Sequence, residues 1–147
     1  AHVVFVETDE EALAVLRSNV SSLEDDLPRR ATIIAAHVGL DDLPVNDADL
    51  FVMNPPWGVQ RERADRPFLE TAFTSDAKAV HLLHSERAGH VEAVAKSHGW
   101  EAEALLRTEF RLPAIYQHHA KRTGTTDVQC WRFYREGDAR LPQETDE

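Results

Sequence analysis

The chain has 147 residues, 26 acidic and 16 Lys or Arg, for a formal net charge of −10. That length allows one domain with a real core, and no run is apolar enough for a membrane span or a signal peptide. The single Cys130 excludes an internal disulfide and any cysteine-based zinc site, which points to a cytoplasmic protein.

Such an acidic balance is unusual for a nucleic-acid binder, because phosphate contacts need Lys and Arg. Two readings compete: a protein that binds no nucleic acid, or a halophile's protein with a solvated acidic surface and locally kept basic groups. Only three lysines occur (Lys78, Lys96, Lys121) and arginine supplies the other cations, a usage that looks haloarchaeal.

In chain order, His2–Val6 reads as a strand and Asp9–Val20 as a helix with Ala12, Leu13, Val15 and Leu16 on its apolar face. Thr8 is the expected cap, with Glu11 completing a capping box. A polar loop through Pro28 leads to a second strand, Ala31–Ala36, and Leu50–Met53 is a third. A charged loop, Arg61–Asp65, precedes a helix over Arg66–Thr74, with Pro67 tolerated in its first turn. Ala79–His84 is a strand, Arg87–His98 a helix stopped by Gly99, and Trp100–Thr108 and Val128–Tyr134 are two final strands. Residues 1–135 read as one partial catalytic domain and residues 136–147 as a polar, acidic, disordered tail.

Alternating strands and helices predict an α/β fold with a mainly parallel sheet. The last two strands lack a helix between them and should form an antiparallel hairpin. The chain begins almost at once with an apolar strand, as a fragment starting inside a fold would.

Asn54-Pro55-Pro56-Trp57 carries the sharpest chemical signal. Two prolines cannot continue a strand, so the chain turns at the carboxyl end of Leu50–Met53, where open α/β sheets bind ligands. Asn54 Oδ1 and the Pro55 carbonyl can accept hydrogen bonds from a planar amine while Trp57 stacks on its ring. Glu7, ending the first strand, can accept from ribose hydroxyls; the alternative is that Glu7 or Asp9 only favours the following helix N-terminus. After the second strand, His37 offers a neutral imidazole acceptor and Val38 a backbone amide, though an isolated His is more often a surface residue. Arg111 to Arg122 interleaves basic and aromatic groups. Arg111, Tyr116, His118, His119, Lys121 and Arg122 suit a phosphate backbone and a stacked base, and Arg61, Arg63 and Arg66 could extend the patch. A solvated basic loop with Ile115 and Tyr116 in the core is the competing reading. The adjacent His118 and His119 do not point to one centre, so no metal is expected there.

Asn54-Pro55-Pro56-Trp57 resembles the Asn-Pro-Pro-aromatic motif of class I, S-adenosylmethionine-dependent amino methyltransferases. Asp65 with Phe68-Leu69, Val80 to Ser85, Leu112-Pro113-Ala114-Ile115-Tyr116 with His119 to Arg122, and Asp127 to Phe133 follow it in order. The series resembles the archaeal and eukaryotic methyltransferase-like-five group, which makes N(6)-methyladenosine in small-subunit ribosomal RNA. The resemblance implies a class I (Rossmann-like) sheet that lacks its first strand and glycine-rich cofactor loop. It implies S-adenosyl-L-methionine as cofactor, with Glu7, Thr8, His37, Val38 and Asn54 in contact with it, and Asn54, Pro55, Pro56 and Trp57 as the catalytic turn. Trp57 replaces the group's more usual Phe, and His37 its usual acid. The resemblance also implies ribosomal RNA as partner, and a small zinc-binding activator of the Trm112 type that adds a strand along the edge Ala31–Ala36. A protein glutamine or DNA adenine methyltransferase, and a non-catalytic RNA- or partner-binding module, remain as alternatives.

Overall fold

The computed structural model describes residues 1–56, 63–111 and 125–137. These fall into two compact units, Ala1–Asn46 and Asp47–Glu147.

In the first unit, β1 (Val3–Glu7) lies parallel to β2 (Ala31–Ala35), with Val3 opposite Ala31 and Glu7 opposite Ala35. Two parallel strands need a crossover, which α1 (Glu10–Ser21) and a short 3-10 turn at Leu27–Arg30 provide. Asp9, not Thr8, caps α1: its Oδ1 accepts the Ala12 N–H at 2.7 Å. The third residue of the helix is then Ala12, which has no acceptor, so the expected capping box with Glu11 does not form. The buried face of α1 is also narrower than expected. Leu13 is buried and Leu16 and Val20 are partly buried, spaced three and four apart, whereas Val15 is 60% exposed.

The second unit contains β3 (Leu50–Met53), α2 (Arg66–Phe73), β4 (Ala79–Ser85), α3 (Gly89–Ser97), β5 (Trp100–Arg111) and β6 (Thr125–Arg135). Its sheet order is β3-β4-β6-β5. β3 runs parallel to β4, and β6 is antiparallel to both β4 and β5, so the expected terminal hairpin is present. The hairpin is longer than the apolar pattern predicts: pairing continues to Arg111 opposite Thr125. α3 starts two residues later than predicted, because Ser85 accepts the amides of Arg87 and Ala88 and holds those residues in a turn.

The sequence predicts one sheet, but the described residues form two. Among them β1 is bonded only to β2, and β3 only to β4. Val3, Val4, Leu50 and Val52 on these two strands are accordingly exposed.

The core of the second unit joins Val80 and Leu82 of β4 to Leu69, Ala72 and Phe73 of α2, Val91 and Ala95 of α3, Trp100 and Phe133. Phe73 meets Phe133 edge to face at 5.1 Å between centroids, an arrangement favoured by the ring quadrupoles. Trp100 buries its indole and donates its Nε1–H to the Phe73 carbonyl at 2.9 Å. The Arg135 guanidinium covers the same indole at 4.3 Å and donates to the Ser75 carbonyl. Gly99 adopts φ +82°, the left-handed geometry that ends α3 and turns the chain into β5. Replacing fully buried Phe133 with Ala should cost about 3–5 kcal/mol, read as a lower urea midpoint at unchanged slope.

Candidate active site

The Asn54-Pro55-Pro56 turn follows β3 directly, at its carboxyl end. Asn54 and Pro56 are exposed, while Pro55 is buried and anchors the turn. No cis peptide bond occurs among the described residues. Trp57, Tyr116, His118, His119, Lys121 and Arg122, assigned above from sequence, lie outside the described residues, as does Arg61. Arg111 is exposed at the end of β5, and Arg63 and Arg66 are exposed just before and at the start of α2.

A cavity of about 370 Å³ opens in the first unit, at the carboxyl ends of β1 and β2. Thr8, Leu13, Arg17, Ala36, His37 and Asp41 help line it. Thr8 and His37 thus line one cavity; Glu7 and Val38 are not among its lining residues. Glu7 Oε1 accepts the backbone amides of Thr8 at 2.8 Å and Asp9 at 2.9 Å. Asp41 Oδ2 accepts the His37 backbone N–H at 2.7 Å and closes the turn after β2. His37 Nδ1 lies 3.1 Å from the Val38 carbonyl. A carbonyl can only accept, so Nδ1 carries the proton, and in the neutral ring Nε2 is an acceptor.

A second cluster was not foreseen. Asp65 is 3% exposed, and its Oδ2 accepts from His84 Nε2 at 2.8 Å and His90 Nε2 at 2.5 Å. His84 is 1% exposed; the His90 imidazole is half exposed. The signal was readable in the strand: Val80, Leu82 and His84 alternate on the buried face of β4, so the histidine had to find a partner. These spacings are those of hydrogen bonds. Ligand atoms around a tetrahedral metal with bonds near 2.0 Å stand about 3.3 Å apart.

Burial pushes the Asp65 carboxyl up, but the hydrogen bonds and charges of His90 and His84 outweigh it and hold the carboxyl below the usual carboxylate range. Burial drives the His84 imidazole below its ordinary 6.5, although the hydrogen bond and charge of Asp65 oppose that. The two directions describe one state, an ionised carboxylate receiving N–H bonds from a neutral His84.

No family model matches the chain. Its closeness to solved structures defines the class: the chain has the fold of class I, Rossmann-like methyltransferases. The crystal structure of a proposed RNA methyltransferase from Pyrococcus horikoshii superposes with a TM-score of 0.75 and 28% identity, covering 91% of this chain and 63% of that one. The 23S rRNA methyltransferase ErmE superposes at 0.58 with 14% identity, covering 97% of this chain and 55% of its own, a likeness of fold. In sequence, the rRNA N(6)-adenosine-methyltransferase metl-5 of Caenorhabditis elegans is 28% identical over 139 residues, 89% of this chain and 64% of that protein. An uncharacterized Methanocaldococcus jannaschii protein is 26% identical over 141 residues, 90% of this chain and 63% of its own length. The chain therefore spans somewhat under two thirds of these relatives.

Both depressed groups make the fold acid-sensitive. The unfolded chain binds the His84 proton more tightly than the folded one, so the stabilisation is full above about pH 6.5 and declines as the pH falls toward the folded value. Asp65 adds a second loss at lower pH, as its carboxylate is protonated through its depressed value. Urea midpoints at pH 7.5 and 5.5 should show a smaller drop for His84→Gln, which cannot titrate, than for the parent.

Proposed function

We propose that the chain carries the catalytic turn of an S-adenosylmethionine-dependent methyltransferase that modifies the 6-amino group of an adenine in RNA, with small-subunit ribosomal RNA as substrate. The observation that carries this reading is the exposed Asn54, placed by buried Pro55 at the carboxyl end of β3 in a class I methyltransferase fold. The 28% identity to a Caenorhabditis elegans rRNA N(6)-adenosine-methyltransferase supports the choice of amine and of RNA.

The cavity beside β1 and β2 fits the nucleoside end of the cofactor. Its volume lies in the range of small-molecule sites. Its acceptors suit an adenosine, with His37 Nε2 and Asp41 for the amino group of the base; Glu7, at the end of β1 but outside the lining, would take the ribose hydroxyls. When bound, S-adenosylmethionine supplies an electrophilic methyl group on a sulfonium.

At the turn, Asn54 Oδ1 and the Pro55 carbonyl would accept the two amine hydrogens of the target adenine. That draws the nitrogen lone pair out of conjugation and aims it for in-line attack, while Trp57 stacks on the base. The task is positioning and exclusion of water; after transfer a proton leaves the nitrogen to solvent. The target base has to be splayed out of any duplex. Arg111, Tyr116, His118, His119, Lys121 and Arg122 would hold the flanking RNA. Among the described residues β2 has a strand on one side only, which supports its other edge as the seat of the Trm112-type zinc-binding activator.

Methyl transfer from labelled cofactor to small-subunit rRNA, by the full-length protein with its activator, tests the proposal. Asn54→Ala should lower kcat by about 10²–10³-fold, the scale of losing one oriented polar contact to the reacting group. Activity equal to the parent would disprove the role given to the turn. His37→Ala should weaken cofactor binding by about fivefold in calorimetry, the worth of one hydrogen bond, with little change in kcat.

A further inference from the structure

Asp65 stands at the N-cap of α2, where an aspartate normally accepts a hydrogen bond from the first turn of its own helix. It makes no such side-chain cap, and its backbone is helical, with φ −79° and ψ −19°. Its carbonyl alone starts the helix, accepting from Phe68 and Leu69 at 3.1 Å each. The carboxylate is given instead to His84, the next to last residue of β4, and to His90 in the first turn of α3. One oxygen thus ties three elements together.

The place of this tie is informative. β3 and β4 are parallel, and Met53 stands opposite Leu82. The Asn-Pro-Pro turn leaves β3 at that level, and His84 lies two residues beyond Leu82, at the same end of the sheet. Pro55, next to Asn54, is buried there, and so is the Asp65 carboxylate.

We propose that Asp65, His84 and His90 are positioning residues for methyl transfer: a hydrogen-bonded clamp at the end of the sheet where β3 carries Asn54. This rests on the reading of Asn54 given above. A charge-assisted bond inside the protein is short and directional, so it limits the arrangements open to this end of the sheet more than an apolar contact at the same point would. Reaction geometry is sensitive to displacements of about 1 Å, so loosening the clamp reaches the reacting atoms although none of the three residues touches them.

The test compares Asp65→Ala, His84→Ala, His90→Ala and His84→Gln in the full-length protein, below each variant's melting transition. Gln can return an N–H donor to the Asp65 carboxylate. Two readouts are taken. Hydrogen exchange by mass spectrometry follows the peptide from Asn54 to Asp65. Initial rates give kcat and KM for rRNA, with cofactor affinity from calorimetry. The expected result is faster exchange in the three alanine variants, a kcat lowered about tenfold to a hundredfold, and KM and cofactor affinity changed less than threefold, with His84→Gln restoring most of both losses. Parental exchange in the alanine variants would overturn the clamp. So would a parental kcat per folded molecule, which would leave only a structural bolt. Stoichiometric uptake of Zn²⁺ by the parent, lost in all four variants, would overturn it in favour of a metal centre. A parent that transfers no methyl group disproves the proposed function, and the exchange data still decide whether the clamp exists.

Discussion

β4 changes the sense of the sheet, and the second unit is organised by that change. On one side β4 is bonded to a parallel strand and on the other to an antiparallel one. A strand so enclosed is fixed in register by both neighbours, and its two-residue period then decides which side chains enter the core. Val80, Leu82 and His84 fall on one line. The first two meet α2, α3 and Phe133. The third reaches the end of the sheet, where an apolar partner would leave its buried Nε2–H unpaired and the Asp65 carboxylate accepts it. Packing of the core and placement of the Asp65 cluster therefore follow from one alternation.

The first unit is built on a different balance. Leu13 and Val45 are its only fully buried apolar residues. Its order rests largely on main-chain pairing of β1 with β2 and on local polar closures: Glu7 on the amides of Thr8 and Asp9, Asp9 on Ala12, Asp41 on His37. Each closure uses a carboxylate to fix backbone beside the cavity. The acidic composition is in this way partly structural, since these oxygens hold the backbone where the strands end.

The fold class, the sheet's terminal hairpin and the turn after β3 could be read from the sequence because each depends on local pattern: β-branched runs, two consecutive prolines, and a final pair of strands with no helix between them. Strand ends were less legible. β5 continues through Glu109 and Phe110 to Arg111, where cross-strand pairing with β6 overrides a polar, exposed pattern. The cap of α1 was misplaced by one residue, because Thr8 and Asp9 are both good caps and adjacent in sequence. The Asp65 cluster was missed for another reason. Its members are 19 and 25 residues apart from Asp65 in sequence, and each alone reads as an ordinary surface polar group. Only strand phase marked His84 as buried.

Asp9 and Asp65 occupy the same formal position, the residue before a helix, yet they are not equally replaceable. Asp9 does what any good cap does, and Ser or Asn in its place would satisfy Ala12 nearly as well. At position 65 the same exchange would leave the first turn of α2 untouched, but Ser would lose the reach to the two imidazoles and Asn would keep an oxygen acceptor without its charge. Sequence drift should therefore run freely through Ser, Thr, Asn and Asp at the start of α1 and favour a carboxylate at the start of α2. Two residues that look interchangeable by helix chemistry thus do different work, and the difference comes entirely from the histidines that face Asp65.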